Sequence, residues 1–147
     1  MNYLWKLNTA SILAALLALI PLELMLNVYR ISRLTGWGLD RTVLVFGVAM
    51  GVTVLAGTVL LYWFMRKRME RRKANVWTAL TWIPYFVLFA YLFSVSFPIT
   101  DPGEAPNPGM GFFVIGGLLG YPFYLLILNV IVLLTGEGVQ KKEGLPD

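Results

Sequence analysis

Four long apolar stretches, separated by short polar connections, constrain this chain more than any other feature of its sequence. They run over residues 9–29, 42–65, 76–97 and 112–135, and each has about the 20 residues that a helix needs to cross a bilayer. With 58% hydrophobic and 14% charged residues, the chain differs from a soluble domain, which is about half apolar and about a quarter charged. We therefore predict an all-α integral membrane protein that folds as one domain, a four-transmembrane-helix bundle.

A signal peptide is the competing interpretation of the first stretch, because Lys6 precedes its apolar core. Apolar residues continue past Glu23 to Tyr29, however, and no small-x-small cleavage site follows the core. The many leucines and isoleucines of this stretch outweigh the cost of inserting one acidic residue. We therefore expect it to be retained as the first span.

One dense basic run lies between the second and third stretches and holds six of the twelve Lys and Arg residues of the chain. Its members are Arg66, Lys67, Arg68, Arg71, Arg72 and Lys73. Because cytoplasmic loops carry an excess of Lys and Arg, we predict that this run and both termini face the cytoplasm. The connections 30–41 and 98–111 are then predicted to be outer loops. We also expect the run to contact anionic lipid head groups.

Two further expectations concern nucleic-acid binding and the type of membrane. No aromatic interleaving or nucleic-acid-reading motif is present, so we do not expect nucleic acid to bind. The chain has no N-glycosylation sequon, which fits a bacterial cytoplasmic (inner) membrane.

The chain has neither cysteine nor histidine. This composition excludes disulfides, thiolate nucleophiles, Cys/His zinc sites, His-ligated haem and the catalytic pairings of Ser or Cys with His. We expect no metal and no cofactor, and we nominate no catalytic residue.

Glu23 is the most informative single residue, because an ionisable side chain inside a span is costly and marks either a functional site or a buried partner. Asn27 and Arg30 follow at i+4 and i+7 and share its helix face. Two interpretations stay open. Either Asn27, a hydroxyl or Arg30 satisfies the carboxyl and it only locks the bundle, or Glu23 carries a proton into and out of a cavity.

Prolines near the centres of three spans are the second candidate feature: Pro21, Pro84 and Pro122. Each removes a helical hydrogen bond. An interrupted helix often lines a cavity. The alternative is that each proline only bends its helix, as is common in membrane proteins. Tyr85 and Tyr121 adjoin two of these prolines, and together with Tyr91 they are candidate substrate contacts.

Small residues at helical spacing predict close helix contacts. Gly47 and Gly51 form such a pair in the second span, and Gly116 and Gly120 form one in the fourth. The connection 98–111 is rich in Pro and Gly and is predicted to be an ordinary connector, although its acids, Asp101 and Glu104, offer a weak alternative as cation ligands.

Three functions are compatible with these features. The first is a non-catalytic subunit or scaffold that associates with another membrane protein or with itself. The second is a small proton-coupled carrier or channel that uses Glu23. The third is a lipid-modifying enzyme, for which the sequence offers acids but no nucleophile motif.

Overall fold

The protein is described by a computed structural model that covers the backbone of residues 2–69 and 73–143 and the side chains of residues 2–69 and 75–135. Within these ranges it is helical and contains no strand. Five α-helices follow one another along the chain: α1 (Tyr3–Leu26), α2 (Val28–Thr35), α3 (Leu39–Arg68), α4 (Thr78–Ser96) and α5 (Pro108–Glu143). Two short 3-10 helices, Lys73–Trp77 and Pro102–Glu104, precede α4 and α5.

The predicted helical class is confirmed, and so is the presence of four helices that could span a membrane. In the part of the chain that the structure describes, four helices are long and apolar enough to cross a membrane: Tyr3–Leu26, Leu39–Arg68, Asn75–Ser96 and Pro108–Thr135. Their bounds differ from the predicted ones by up to six residues: all four begin before the predicted stretches, whereas the first and third end before residues 29 and 97. Insertion into a membrane and the cytoplasmic position of the termini remain predictions.

The connection 30–41 corrects one expectation, because most of it is helix rather than loop. The first helix ends at Leu26, and Asn27 follows as its C-cap. The side-chain amide of Asn27 donates to the backbone oxygen of Glu23 at 2.9 Å. The chain then resumes as α2. Gly36 ends α2 with φ of 69°, a left-handed conformation that glycine adopts without steric cost.

The helix α1 lies at the centre of the bundle. It packs mainly against α3 and α4, which make few contacts with each other among the described residues, and α5 contacts α1, α3 and α4. The alanines Ala10, Ala14 and Ala15 of α1 have no exposed surface. Small side chains at these positions let neighbouring helices approach closely, which is the main source of helix association in lipid.

Interhelical hydrogen bonds supplement this packing. Ser11 of α1 and Thr81 of α4 lie 2.6 Å apart through their hydroxyl oxygens. The Tyr121 hydroxyl of α5 donates to the backbone oxygen of Ala14 at 2.7 Å. Such bonds satisfy polar groups where no water is available.

The two ends of the bundle differ in character. One end, which we call the α2 end, carries α2 and the turn Pro102–Glu104 that contacts it. The other, which we call the basic end, joins Tyr3 to Asn75 by a hydrogen bond of 3.2 Å. It also carries Arg66 in the last turn of α3.

The glycine that lets two helices of the chain approach closely is Gly57, which was not among the predicted glycines. A Cβ atom built on Gly57 would lie 2.5 Å from Cδ1 of Leu17 in α1. The same construction at Gly47, Gly51, Gly116 and Gly120 meets no atom within 4 Å. The predicted glycine pairs therefore make no close contact within the described chain and leave their faces open, whereas Gly57 lets α3 approach α1.

We predict that Gly57→Leu destabilises the bundle by about 1 to 3 kcal/mol, because the added side chain overpacks the contact with the buried Leu17. The measurement is the thermal unfolding midpoint in mild detergent. Ala56→Leu is the matched control, since Ala56 is the exposed neighbour of Gly57 on α3. Equal midpoints for the two variants would contradict the packing described here.

Candidate functional site at the α2 end

A groove of about 470 Å³ opens at the α2 end of the bundle. Its floor is formed by α1 and α2, and its walls include Phe46 of α3, Phe93 of α4 and Phe97 directly after α4. No described residue of α5 lines it. The predicted residues Glu23, Asn27 and Arg30 all lie along this groove, which is otherwise almost entirely apolar.

The Glu23 carboxylate has one side-chain partner there. The Asn27 side-chain amide donates to Oε2 of Glu23 at 3.1 Å. No ion pair of Glu23 is found among the described side chains, where the ion pairs join Arg30 and Arg33 to Glu104 and Asp101. The predicted contact with Asn27 is therefore present, and the carboxylate lacks a salt-bridge partner within the described chain.

Arg30 instead holds the α2 end together. Its Nε donates to Oε2 of Glu104 at 3.1 Å, and its Nη1 donates to the Asn27 side-chain oxygen at 3.3 Å. Two further bonds reach the backbone oxygens of Phe97 at 2.9 Å and Pro98 at 2.6 Å. Arg30 thus joins α2 to the end of α4 and to the connection that follows it.

Glu104 is the other centre of this network. Its side chain is only 4% exposed, and it pairs with both Arg30 and Arg33. The hydrogen bond from Arg33, supported by that from Arg30, lowers the pKa of Glu104 from its ordinary value of 4.5. The same bond with Glu104 raises the pKa of Arg33. Arg33 also donates to Asp101 at 2.7 Å, in a pair that is about half exposed.

Local turn chemistry positions Glu104. The Asp101 carboxylate accepts from the backbone N–H of Gly103 at 2.8 Å and so caps the turn Pro102–Glu104. Pro102 begins this turn with the backbone angle that a helical start requires. The turn directs Glu104 towards α2, and the connection is therefore a structured element rather than a plain linker.

The other candidate residues lie elsewhere. Tyr121 lines a second groove of about 350 Å³, between α1, α3 and α5, which Pro21 also lines. Tyr85 packs against the buried core, and Tyr91 is 63% exposed. The helices run through Pro21 and the other two internal prolines without interruption. Glu23 and these tyrosines are therefore not combined in one site.

The described part of the basic run lies at the opposite end of the bundle from Glu23. Arg66, Lys67 and Arg68 form the last turn of α3, where positive charge is favourable at the helix C-terminus. Nη1 of Arg66 donates to the Tyr62 hydroxyl at 3.2 Å, and Nζ of Lys67 lies 5.0 Å from the Trp63 ring centroid. The side chain of Lys73 is not described. Arg71 and Arg72 lie outside the described residues.

Sequence reasoning did not find the pairing of Arg30 and Arg33 with Glu104 and Asp101. A signal was present, since the two predicted outer loops carry opposite charges: arginines in one, and two acids in the other. Because both acids are held by arginines, their alternative role as cation ligands gains no support. The described side chains include no group of three or more carboxylates suited to a metal ion.

Searches against protein-family models, curated proteins and solved structures returned no match for this chain. Chemically, the α2 end offers the Glu23 carboxylate, which forms no ion pair among the described side chains, in a mostly apolar groove that Arg30 also lines. Such a carboxylate is suited to binding a proton or a cation beside a salt-bridged cap.

We predict that the cap weakens in acid because of Glu104. A carboxyl whose pKa is lowered by folding contributes its full stabilisation at pH values well above 4.5. This contribution is lost as the pH falls below 4.5 and passes through the lowered pKa. Between pH 7 and pH 3, the thermal unfolding midpoint of the wild type should therefore fall more than that of Glu104→Gln, which cannot titrate there.

Asp101→Asn is the matched control, because it removes an acid bound to the same Arg33 but in an exposed pair, which contributes less. This variant should keep most of the acid sensitivity of the wild type. A Glu104→Gln profile parallel to that of the wild type would refute the assignment.

Proposed function

We propose that this protein is a non-catalytic subunit or scaffold of a bacterial cytoplasmic membrane, which binds and orients another membrane protein. The observation that carries the proposal is the set of open glycine faces on α3 and α5. Lipid covers ordinary apolar helix faces as well as protein does, so a partner helix is indicated where the backbone is bare.

The helix α3 shows the first of these faces. In an apolar segment of 18 residues of α3 no residue is buried, whereas 33% of the residues in the corresponding segment of α1 are buried. Gly47 and Gly51 lie on one face of α3, and apart from the neighbouring residues and backbone of α3 itself no described atom lies within 4 Å of their Cβ positions. A helix from another protein can therefore approach the α3 backbone closely at this face.

The helix α5 offers a second open face. Gly116 and Gly120 also have no atom within 4 Å of their Cβ positions. The surrounding side chains are well exposed, with Phe112 at 80% and Leu119 at 69%. Two of the four spans thus present bare backbone outwards, as expected for a protein that assembles with others in the membrane.

The salt-bridged cap is consistent with a non-catalytic role. Arg30, Arg33 and Glu104 bind one another and the backbone at the end of α4. Their geometry explains them as structural groups, and no arrangement of them favours the third function, a lipid-modifying enzyme.

We expect the protein to co-purify with a specific, larger membrane protein when it is isolated in mild detergent at native abundance. Gly51→Leu and Gly120→Leu should each abolish this association, because a bulky side chain keeps the partner helix away from the backbone. Ala56→Leu, on another face of α3, should retain it.

Unfolding midpoints show whether each variant is still folded. Isolation of the wild type as a monomer without a partner would contradict the proposal. Isolation as a homo-oligomer sensitive to Gly51→Leu would identify the partner as a second copy.

A second candidate function is favoured by the position of Glu23 in the groove at the α2 end. A carboxyl in apolar surroundings with one neutral hydrogen-bond partner is suited to taking up and releasing a proton. On this view the protein is a small proton-coupled carrier.

Reconstituted liposomes test the carrier directly. Addition of substrate should change the pH of the lumen for the wild type, and Glu23→Gln should abolish the change while the protein remains folded. A pH response that persists in Glu23→Gln would exclude the carrier as described.

A further inference from the structure

We propose that the groove around Glu23 receives a transmembrane helix of the partner protein, and that a Lys or Arg of that helix pairs with the Glu23 carboxylate. The inference rests on the proposed subunit role and specifies the chemistry of the partner. It concerns a surface different from the glycine faces, formed by α1 and α2 between α3 and α4.

The charges at the α2 end point to a cationic occupant. Arg30 and Arg33 face Glu104 and Asp101, so these two cations and two acids balance within the cap. Glu23 is left with a neutral amide, Asn27, as its side-chain partner. Arg30 also lines the groove, but its guanidinium is paired with Glu104, so among the described side chains Glu23 is the charged group of the groove that has no ion pair.

The shape of the groove points to a helix. On one side of α1, α5 contacts α1, α3 and α4 together. The groove lies where α3 and α4 flank α1 without a described residue of α5, so it resembles an unfilled helix position. Its floor runs from Leu19 to Leu34, or about 20 Å at about 1.5 Å per residue.

The physical reason for pairing is the cost of exposing a carboxylate to lipid. Ionisable groups inside membranes pair with one another and face the bundle interior or a cavity. Glu23 lies about one turn before the end of α1, at a depth that the long side chain of Lys or Arg can reach from a neighbouring helix. A basic residue at this depth removes the cost and adds a directional bond.

A synthetic transmembrane peptide tests the proposal without knowledge of the partner. The peptide is a Leu/Ala-rich helix with uncharged ends, an acceptor fluorophore and one Lys a turn inside one end. Two matched peptides carry Leu or Glu in place of that Lys. The chain contains no cysteine, so Thr100→Cys at the α2 end carries the donor fluorophore for energy transfer in phosphatidylcholine vesicles.

The Lys peptide should reach half-maximal energy transfer at about one-tenth of the concentration that the Leu peptide needs, given the usual strength of polar contacts between membrane helices. The Glu peptide should be no better than the Leu peptide. Glu23→Gln, which retains a partner for Asn27, should remove the preference for Lys. Asp40→Asn, which removes an exposed acid of α3 outside the groove, should keep it.

Three results would overturn the inference: equal transfer for the Lys and Leu peptides, a Lys preference that survives Glu23→Gln, or one that disappears when phosphatidylethanolamine replaces phosphatidylcholine. The last result would indicate that the ammonium group of phosphatidylethanolamine, rather than a partner helix, pairs with Glu23.

Co-purification of the native partner separates this inference from the proposed function. If the partner stays bound to Glu23→Gln but is lost with Gly51→Leu, the subunit role stands and the groove is not its docking site. If no partner co-purifies with the wild type, the subunit role itself fails.

Discussion

Close packing of the other helices against α1 is the interaction on which the rest of this structure depends. Lipid tails are as apolar as leucine, so membrane helices associate through tight contact and hydrogen bonds rather than through exclusion of water. The fully buried alanines Ala10, Ala14 and Ala15 provide that contact on α1. Gly57 provides it from α3, where Leu17 occupies the space that a Cβ would take. The bonds from Thr81 and Tyr121 then connect α4 and α5 to the same helix.

The α2 end is organised by charge instead. Asn27 stands between two systems, since its amide donates to Glu23 and its oxygen accepts from Arg30. Arg30 in turn reaches Glu104 and the backbone at the end of α4. A continuous chain of hydrogen bonds therefore leads from the lone acid of α1 to the turn before α5. Such a network couples the position of Glu23 to the order of the cap, because a polar group that loses its partner in this environment is costly.

These two principles bear on function in different ways. Packing around α1 uses the interior of the bundle and leaves the glycine faces of α3 and α5 uncovered, and the subunit proposal is built on those faces. Charge pairing at the α2 end satisfies both cap arginines and leaves Glu23 without an ion pair among the described residues. The proposed docking of a basic helix and the carrier alternative both depend on this imbalance, but they differ in what neutralises the carboxylate: another protein or a proton.

Much of the fold was predictable from the sequence, because the length and composition of an apolar stretch decide whether it can cross a bilayer as a helix. The four apolar helices and the common face of Glu23, Asn27 and Arg30 follow from local patterns, whereas the break at Asn27 was not predicted. The helix α2 was missed, since hydropathy treats a short amphipathic segment as a loop.

Which residues meet across the bundle was decided only by the tertiary structure. Glycine spacing marks where close approach is possible, but the packing of whole helices selected Gly57 for contact with α1 and left Gly47 and Gly51 open. Opposite charges on two connections are visible in the sequence, yet the pairing of Glu104 with Arg30 and Arg33 requires the turn at Pro102 and the position of α2. The sequence by itself therefore determined four helices long and apolar enough to cross a membrane, with one acid inside the first of them. The tertiary structure decided its surroundings, because contacts between residues some 70 positions apart depend on how helices pack and not on any local period.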